Sequence, residues 1–208
     1  MSHSDIWQLL SRIPQPEQPF ITTINAQGRV ELSGRTVING ICKAANAIRD
    51  ILEAEPGQSA YINLGWTWQQ SVWQGATLVA GLTLATESDA DYEISPALIS
   101  THPLGLPTGG PDDITAEVLT QPDAWLYPDY FPEQLSLVEQ TRTWAVERGI
   151  NTGDRIGLVT SNAPPQAIDF LPFLVPLTVH GSVVFIDHQT SDIARLVEQE
   201  KVTVLLKQ

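Results

Sequence analysis

Few residues in this sequence are of a type and spacing that could do chemistry. The histidines are His3, His102, His180 and His188; they show no metal-binding spacing, and no His-x-Glu or paired-Cys motif accompanies them. His180 precedes Gly181 where a helix is expected to end, which suits a terminal cap better than a catalytic base. The single Cys42 has apolar neighbours and no histidine nearby, so it reads as a small core residue rather than a nucleophile. Gly105-Leu106-Pro107-Thr108-Gly109-Gly110 looks like a phosphate loop at a glance but lacks a following Lys-Ser/Thr, and a Pro/Gly turn is the better reading. The remaining candidates stand at the ends of expected strands. Open α/β sheets place ligands beyond the carboxyl ends of their strands, so Asn63, Trp66, Trp68, Ser161, Asn162, Asp187 and His188 form a candidate ligand crevice. The plain alternatives are a solvated loop for Asp187-His188 and core packing for Trp66, Trp68 and Trp73. No catalytic, cofactor-binding or metal residue is assigned.

The elements that must carry these residues follow from periodicity. From Thr36 to Leu52, the apolar positions Val37, Ile41, Ala45, Ile48 and Leu52 recur at helical spacing, with Lys43, Asn46, Arg49 and Asp50 facing elsewhere and Ser33 placed to cap. Pro56-Gly57 turns the chain, Ala60 to Leu64 is a strand ending at Gly65, Thr67 to Ala80 is a helix, and Leu82 to Ala85 is a second strand. The grammar repeats from Leu135: a helix through Thr141 and Ala145, the turn Thr152 to Arg155, a strand over Ile156 to Thr160, a helix from Gln166 to Thr178, and a strand from Gly181 to Ile186. Gly57 matches Gly153 and Gly81 matches Gly181, a coarse internal duplication. The expected fold class is α/β: two Rossmann-like βα-repeat halves with mainly parallel strands flanked by helices, plus an amino-terminal β-hairpin over Phe20 to Ile24 and Arg29 to Leu32. Residues Ser2 to Ile13 read as a short amphipathic helix. The halves are 20–100 and 135–208, within one compact domain, joined by a connector over 101–134. Before it, Tyr92 to Ile94 and Ala97 to Ser100 are expected as one or two strands of the first half; the connector itself is rich in Pro and Gly yet too apolar to be disordered, with Ala124 to Tyr127 as a further strand.

Composition excludes some partners. Lys and Arg number 11 against 24 acids, a formal charge of −13, which argues against nucleic acid and anionic membranes. No apolar run approaches the roughly eighteen residues of a membrane span, and no signal peptide is evident. With one cysteine, a reducing cytoplasm is the expected compartment.

Val30-Glu31-Leu32-Ser33, the amphipathic helix, Glu55-Pro56-Gly57-Gln58, then strand, helix and Gly-led strand resemble the amino-terminal subdomain of the adenylate-forming (AMP-binding) enzymes, the superfamily of acyl-CoA synthetases, luciferases and peptide adenylation domains. Gly153-Asp154-Arg155-Ile156, His180 to Ile186, Asp192 to Glu198 and Glu200 to Leu205 resemble its middle subdomain, in the same order. Members usually carry Pro-Gly-Asp-Arg-Val at the first turn, where this chain has Pro56-Gly57-Gln58-Ser59-Ala60. The resemblance implies a phosphate-binding loop between the two units, a Ser/Thr/Gly-rich segment ending in Pro-Lys-Gly, but Gln121 to Pro132 is bulky, without Gly or Lys, and carries Asp123 and Asp129. The family's aromatic-His pair would fall near Ala163 and Pro164, and the sequence given ends at Gln208, before the segments that the resemblance would assign to ribose and the catalytic Lys. The expectation is a truncated, degenerate member, uncertain as an enzyme and more naturally a noncatalytic ligand-binding or regulatory protein that needs no cofactor. The alternatives are adenylation of a carboxylic acid with a partner subunit, or a structural assembly subunit. A homodimer is expected through Trp125, Leu126, Tyr127, Tyr130 and Phe131.

Overall fold

The computed structural model describes residues 5–86, 89–127, 129–160, 173–190 and 192–207. After a short helix α1 (Ile6–Leu10), capped by the Asp5 side chain, come the hairpin strands β1 (Pro19–Asn25) and β2 (Gly28–Ser33). Gly28, at φ 125°, supplies the positive φ expected of the hairpin turn. Helix α2 (Gly34–Asp50) starts at Ser33, whose Oγ accepts from the Thr36 N–H as the sequence predicts. Strand β3 (Ser59–Ile62), helix α3 (Trp68–Val79) and strands β4 (Thr83–Ala85) and β5 (Tyr92–Ile94) complete the first unit. A short helix α4 (Thr115–Thr120) lies in the connector. Helix α5 (Gln134–Glu147), β6 (Arg155–Val159), α6 (Leu174–Thr178), β7 (Ser182–Ile186), α7 (Ile193–Gln199) and β8 (Val204–Lys207) form the second.

The architecture is α/β, with a 5-stranded sheet in the order β2-β1-β7-β6-β8 and a 3-stranded sheet in the order β4-β3-β5. Among the described residues, only the β1–β2 pairing is antiparallel. Each unit sets its second strand on one side of the first and its third strand on the other: β4-β3-β5 repeats as β7-β6-β8. The registers also correspond, Ser59 opening opposite Thr83 and Arg155 opposite Ser182. The duplication read from the sequence is therefore visible in strand order among the described residues, whereas residues 166–172 of the expected second helix lie outside them.

Some sequence readings need correction. The hairpin, grouped with the first half, hydrogen-bonds instead to β7 of the second, Ile21 to Ile24 running parallel to Val183 to Ile186. The physical reason is that Phe20, Ile21, Thr22 and Thr23 are all buried, so both faces of β1 are covered and it must sit inside a sheet, with β2 as the edge. The partner of Gly81 is His180 rather than Gly181. Both follow a helix, both have positive φ (84° and 52°), and in each case the next backbone N–H reaches back to the last turn, Leu82 to Thr77 O and Gly181 to Pro176 O. Ala97 to Ser100 is not a strand: the Leu98 and Ile99 N–H groups both turn back to Ser95 O.

Ala124 to Tyr127 is not a strand either, because its backbone bonds to side chains of α2. The helix face bearing Lys43, Asn46, Arg49 and Asp50, which the sequence shows only to lie off the apolar stripe, straps the connector. The Lys43 ammonium donates to Leu119 O at 2.9 Å and Gln121 O at 2.6 Å, while Asn46 Nδ2 donates to Ala124 O at 3.0 Å and Pro122 O at 3.3 Å. Asn46 Oδ1 accepts from the Leu126 N–H at 3.3 Å, and the Tyr127 hydroxyl donates to Asp50. The Arg49 guanidinium lies 5.0 Å over the Tyr127 ring. Trp125 is carried by this strap into the core at 8% exposure, so it is not part of an exposed patch; Leu126 and Tyr130 do face solvent.

Candidate functional site

Strands β1, β6 and β7 run parallel, so their carboxyl ends meet at one edge of the larger sheet. The Thr160 N–H donates to Ile186 O at 2.9 Å and the Asp187 N–H donates to Ile24 O at 3.0 Å, which fixes the residues that follow each strand. The opposite wall is the loop between β3 and α3, held from inside by Gln70. Its Oε1 accepts from the Leu64 N–H at 2.7 Å and its Nε2 donates to Ile62 O at 2.9 Å, with the side chain 1% exposed. Thr67 caps α3 through the Gln70 N–H and donates its hydroxyl to Leu64 O at 3.1 Å. A loop with its buried polar groups matched in this way holds one conformation. It directs Trp66 onto Phe185 of β7, with ring centroids 5.9 Å apart and planes inclined at 51°.

Between these walls is a cavity of about 280 Å³ lined by Thr23, Asn25, Trp66, Thr160, Asp187 and His188, among others. Asp187 Oδ1 accepts from the Gln189 N–H at 2.9 Å and lies 3.4 Å from His188 Nδ1; no described residue donates to Oδ2. The arrangement offers an aromatic face, a half-buried carboxylate and neutral hydroxyl and amide groups.

Of the residues predicted for the crevice, Trp66, Asp187 and His188 come together. Trp68 lines a neighbouring cavity of about 240 Å³ that shares Thr23 and Asn25, and its Nε1 donates to Pro103 O at 3.0 Å. Asn63 is half-buried, gives its backbone N–H to Ile94 O at 2.8 Å, and lines neither cavity. Ser161 and Asn162 lie outside the described residues, as do Ala163 and Pro164. Sequence reasoning misses Thr23 and Asn25 because it groups the hairpin with the wrong half; the unbroken run Phe20 to Ile24, which reads as a doubly buried strand, is the available signal.

The other candidates resolve as structure. Cys42 is fully buried, and burial pushes its thiol up to about 11, so it stays protonated and inert. Trp73 is in the core. The Thr108 N–H, Thr108 hydroxyl and Gly109 N–H, the donors a phosphate loop would offer, all point at Asp113 Oδ2 at 2.6, 2.7 and 3.2 Å. Burial works to raise the Asp113 carboxyl, but hydrogen bonds from Thr115 and Thr108 hold it well below the usual carboxylate range. In the connector, Asp123 and Asp129 are not bare charges: they pair with Lys43 at 3.0 Å and Arg49 at 3.9 Å. No cluster of metal-ligating side chains occurs among the described residues. Nor is any helix among them long and apolar enough to cross a membrane.

No protein-family model matches the sequence, and no curated protein matches it. Solved structures do match in fold. The N-terminal domain of FACL13 from Mycobacterium tuberculosis aligns with TM-score 0.73 at 8% identity, covering 97% of this chain and 62% of that one. ATP-bound MatB from Rhodopseudomonas palustris gives 0.70 at 15%, covering 97% and 49%. The artificially fused adenylation-PCP di-domain NpsA-ThdA from Klebsiella oxytoca gives 0.70 at 11%, covering 99% and 43%. The chain thus has the fold of the amino-terminal part of the adenylate-forming, AMP-binding, acyl-CoA synthetase-like enzymes, and spans between 43% and 62% of the length of these three.

Proposed function

We propose that this chain is a noncatalytic small-ligand-binding protein built on the fold of the adenylate-forming enzymes. The observation that carries the reading is the cavity at the carboxyl ends of β1, β6 and β7, which keeps the place where such sheets bind ligands and presents Trp66 opposite Asp187. Further support comes from the segment 121–132, where these enzymes hold phosphate. Here it has neither Gly nor Lys, and the carbonyls of Gln121, Pro122 and Ala124 accept from Lys43 and Asn46. The ATP in the MatB structure belongs to that protein.

The chemistry of the walls defines the ligand. About 280 Å³ lies just below the ~300–1,000 Å³ typical of small-molecule sites, so the ligand is smaller than a nucleoside triphosphate. An indole face beside a carboxylate favours a flat, neutral or cationic molecule. The test is a titration of labelled protein with nicotinamide, benzamidine and tyramine, read at the Asp187 backbone N–H, which both variants below retain, by two-dimensional NMR. At least one probe is expected to shift that signal, with affinity falling about tenfold in Asp187→Asn and binding lost in Trp66→Ala. A panel without effect, or binding indifferent to both substitutions, contradicts the reading.

A further inference from the structure

At the opposite edge of the larger sheet, by the amino ends of β6 and β7, is a second cavity of about 760 Å³. It is larger than the strand-end crevice and within the range typical of small-molecule sites. Its apolar wall includes Ile13, Phe20 and Leu177, and its rim carries His180 and Lys201.

Those rim residues stand in unfavourable backbone conformations. Helices α3 and α5 end in a left-handed residue that is glycine, Gly81 and Gly149 at φ 84° and 66°. Helices α6 and α7 end the same way at His180 and Lys201, φ 52° and 54°. A side chain there costs about 1 kcal/mol relative to glycine. Of the non-glycine residues with positive φ among the described residues, Glu53, His180 and Lys201, two border one cavity. A cation near a helix C-terminus gains something from the helix dipole, but that does not explain why both sit on the same cavity.

Within the lining, Arg155 and Glu200 cancel as a pair at 2.7 Å. Arg29, outside the lining, is itself paired with Glu200 at 2.6 Å and with Glu31. On the rim, neither the Lys201 ammonium nor the His180 imidazole bonds to a described residue. A chain with a formal charge of −13 therefore presents at this point an uncompensated cation and a ring donor above an apolar wall.

We infer that this cavity is a second binding site, for a small organic anion whose head meets Lys201 and His180 and whose apolar body lies along Ile13, Phe20 and Leu177. Phosphate esters and carboxylates share that chemistry. The site is separate from the strand-end crevice, and its fate does not depend on the function proposed for the latter.

The test is isothermal titration of the full chain with phenyl phosphate, benzoate and neutral phenol, repeated on His180→Gly and Lys201→Gly. Glycine relieves the left-handed strain, so both variants are expected to fold with melting temperatures at or above the parent. Phenyl phosphate, benzoate or both are expected to bind at least tenfold more tightly than phenol, and to lose that advantage in Lys201→Gly and most of it in His180→Gly. Which of the two binds distinguishes a phosphate from a carboxylate ligand. Equal binding of phenol and both anions, no binding of either anion, or anion affinity unchanged in both variants overturns the inference.

Discussion

Gly181→Ala is expected to destabilise the chain by about 3 kcal/mol, at the upper end of the cost of overpacking a tight site. A Cβ at this position would stand 2.1 Å from the carbonyl oxygen of Asp154 and 3.2 Å from its carbon. Both are backbone atoms and cannot swing aside as a side-chain tip would. The same oxygen accepts from the Ser182 N–H at 3.0 Å where β7 begins beside β6, so moving it also disturbs the start of that ladder. Those two strands carry Thr160 and Asp187 to the crevice. Urea unfolding followed by circular dichroism reads the effect, and a midpoint within about 0.5 kcal/mol of the parent would contradict the close approach.

Arg155→Ala is expected to cost about 3 kcal/mol, the low end of the range for breaking a buried pair, because Glu200 keeps Arg29. Arg155 donates to Glu200 Oε2 and to the Glu200 carbonyl at 2.7 Å each, and to Ser182 Oγ and Thr22 Oγ1 at 3.1 Å each. With side-chain exposures of 17% for Arg155 and 10% for Glu200, it ties β6 to β1, β7 and the end of α7 away from most of the solvent. The effect should depend on pH. Hydrogen bonding from Arg29, and then from Arg155, holds the Glu200 carboxyl below its ordinary value against the opposing effect of burial. A depressed carboxylate stabilises the fold above its unfolded value, about 4.3, and that contribution disappears as pH falls through the folded value. Removing Arg155 shrinks the depression, so the difference between parent and variant should narrow from pH 6 to pH 3. A difference that stays constant over that range would mean that Glu200 is not coupled to Arg155.

What can be read from the sequence and what cannot divide along physical lines. Helix α2 and the β3-α3-β4 unit follow from local periodicity and turn chemistry, and the structure places them within a residue or two of expectation. Strand partners are not local. Nothing in Phe20 to Ile24 names Val183 to Ile186 as its neighbour, so the sequence alone puts the hairpin with the wrong half and leaves Thr23 and Asn25 out of the site. The strap on α2 is hidden for a related reason: the sequence shows Lys43 and Asn46 only to lie off the apolar stripe, and the chain returns more than seventy residues later to use them. Trp66, Asp187 and His188 are legible because strand ends are predictable from strands, and the rule about where parallel sheets bind ligands needs only those ends. His180 is readable as a helix-end residue, but its left-handed conformation and its place beside Lys201 on one cavity need coordinates.

On the proposed function, the strand-end cavity serves binding and the chain does not activate a carboxylate with ATP. Carboxylate-dependent exchange of labelled pyrophosphate into ATP tests this most directly. With Mg²⁺ and a broad panel of fatty, aromatic and amino acids, the purified chain should give no exchange above the protein-free control. A carboxylate-dependent rate above that control, abolished by a substitution in the strand-end cavity such as Trp66→Ala, would contradict it.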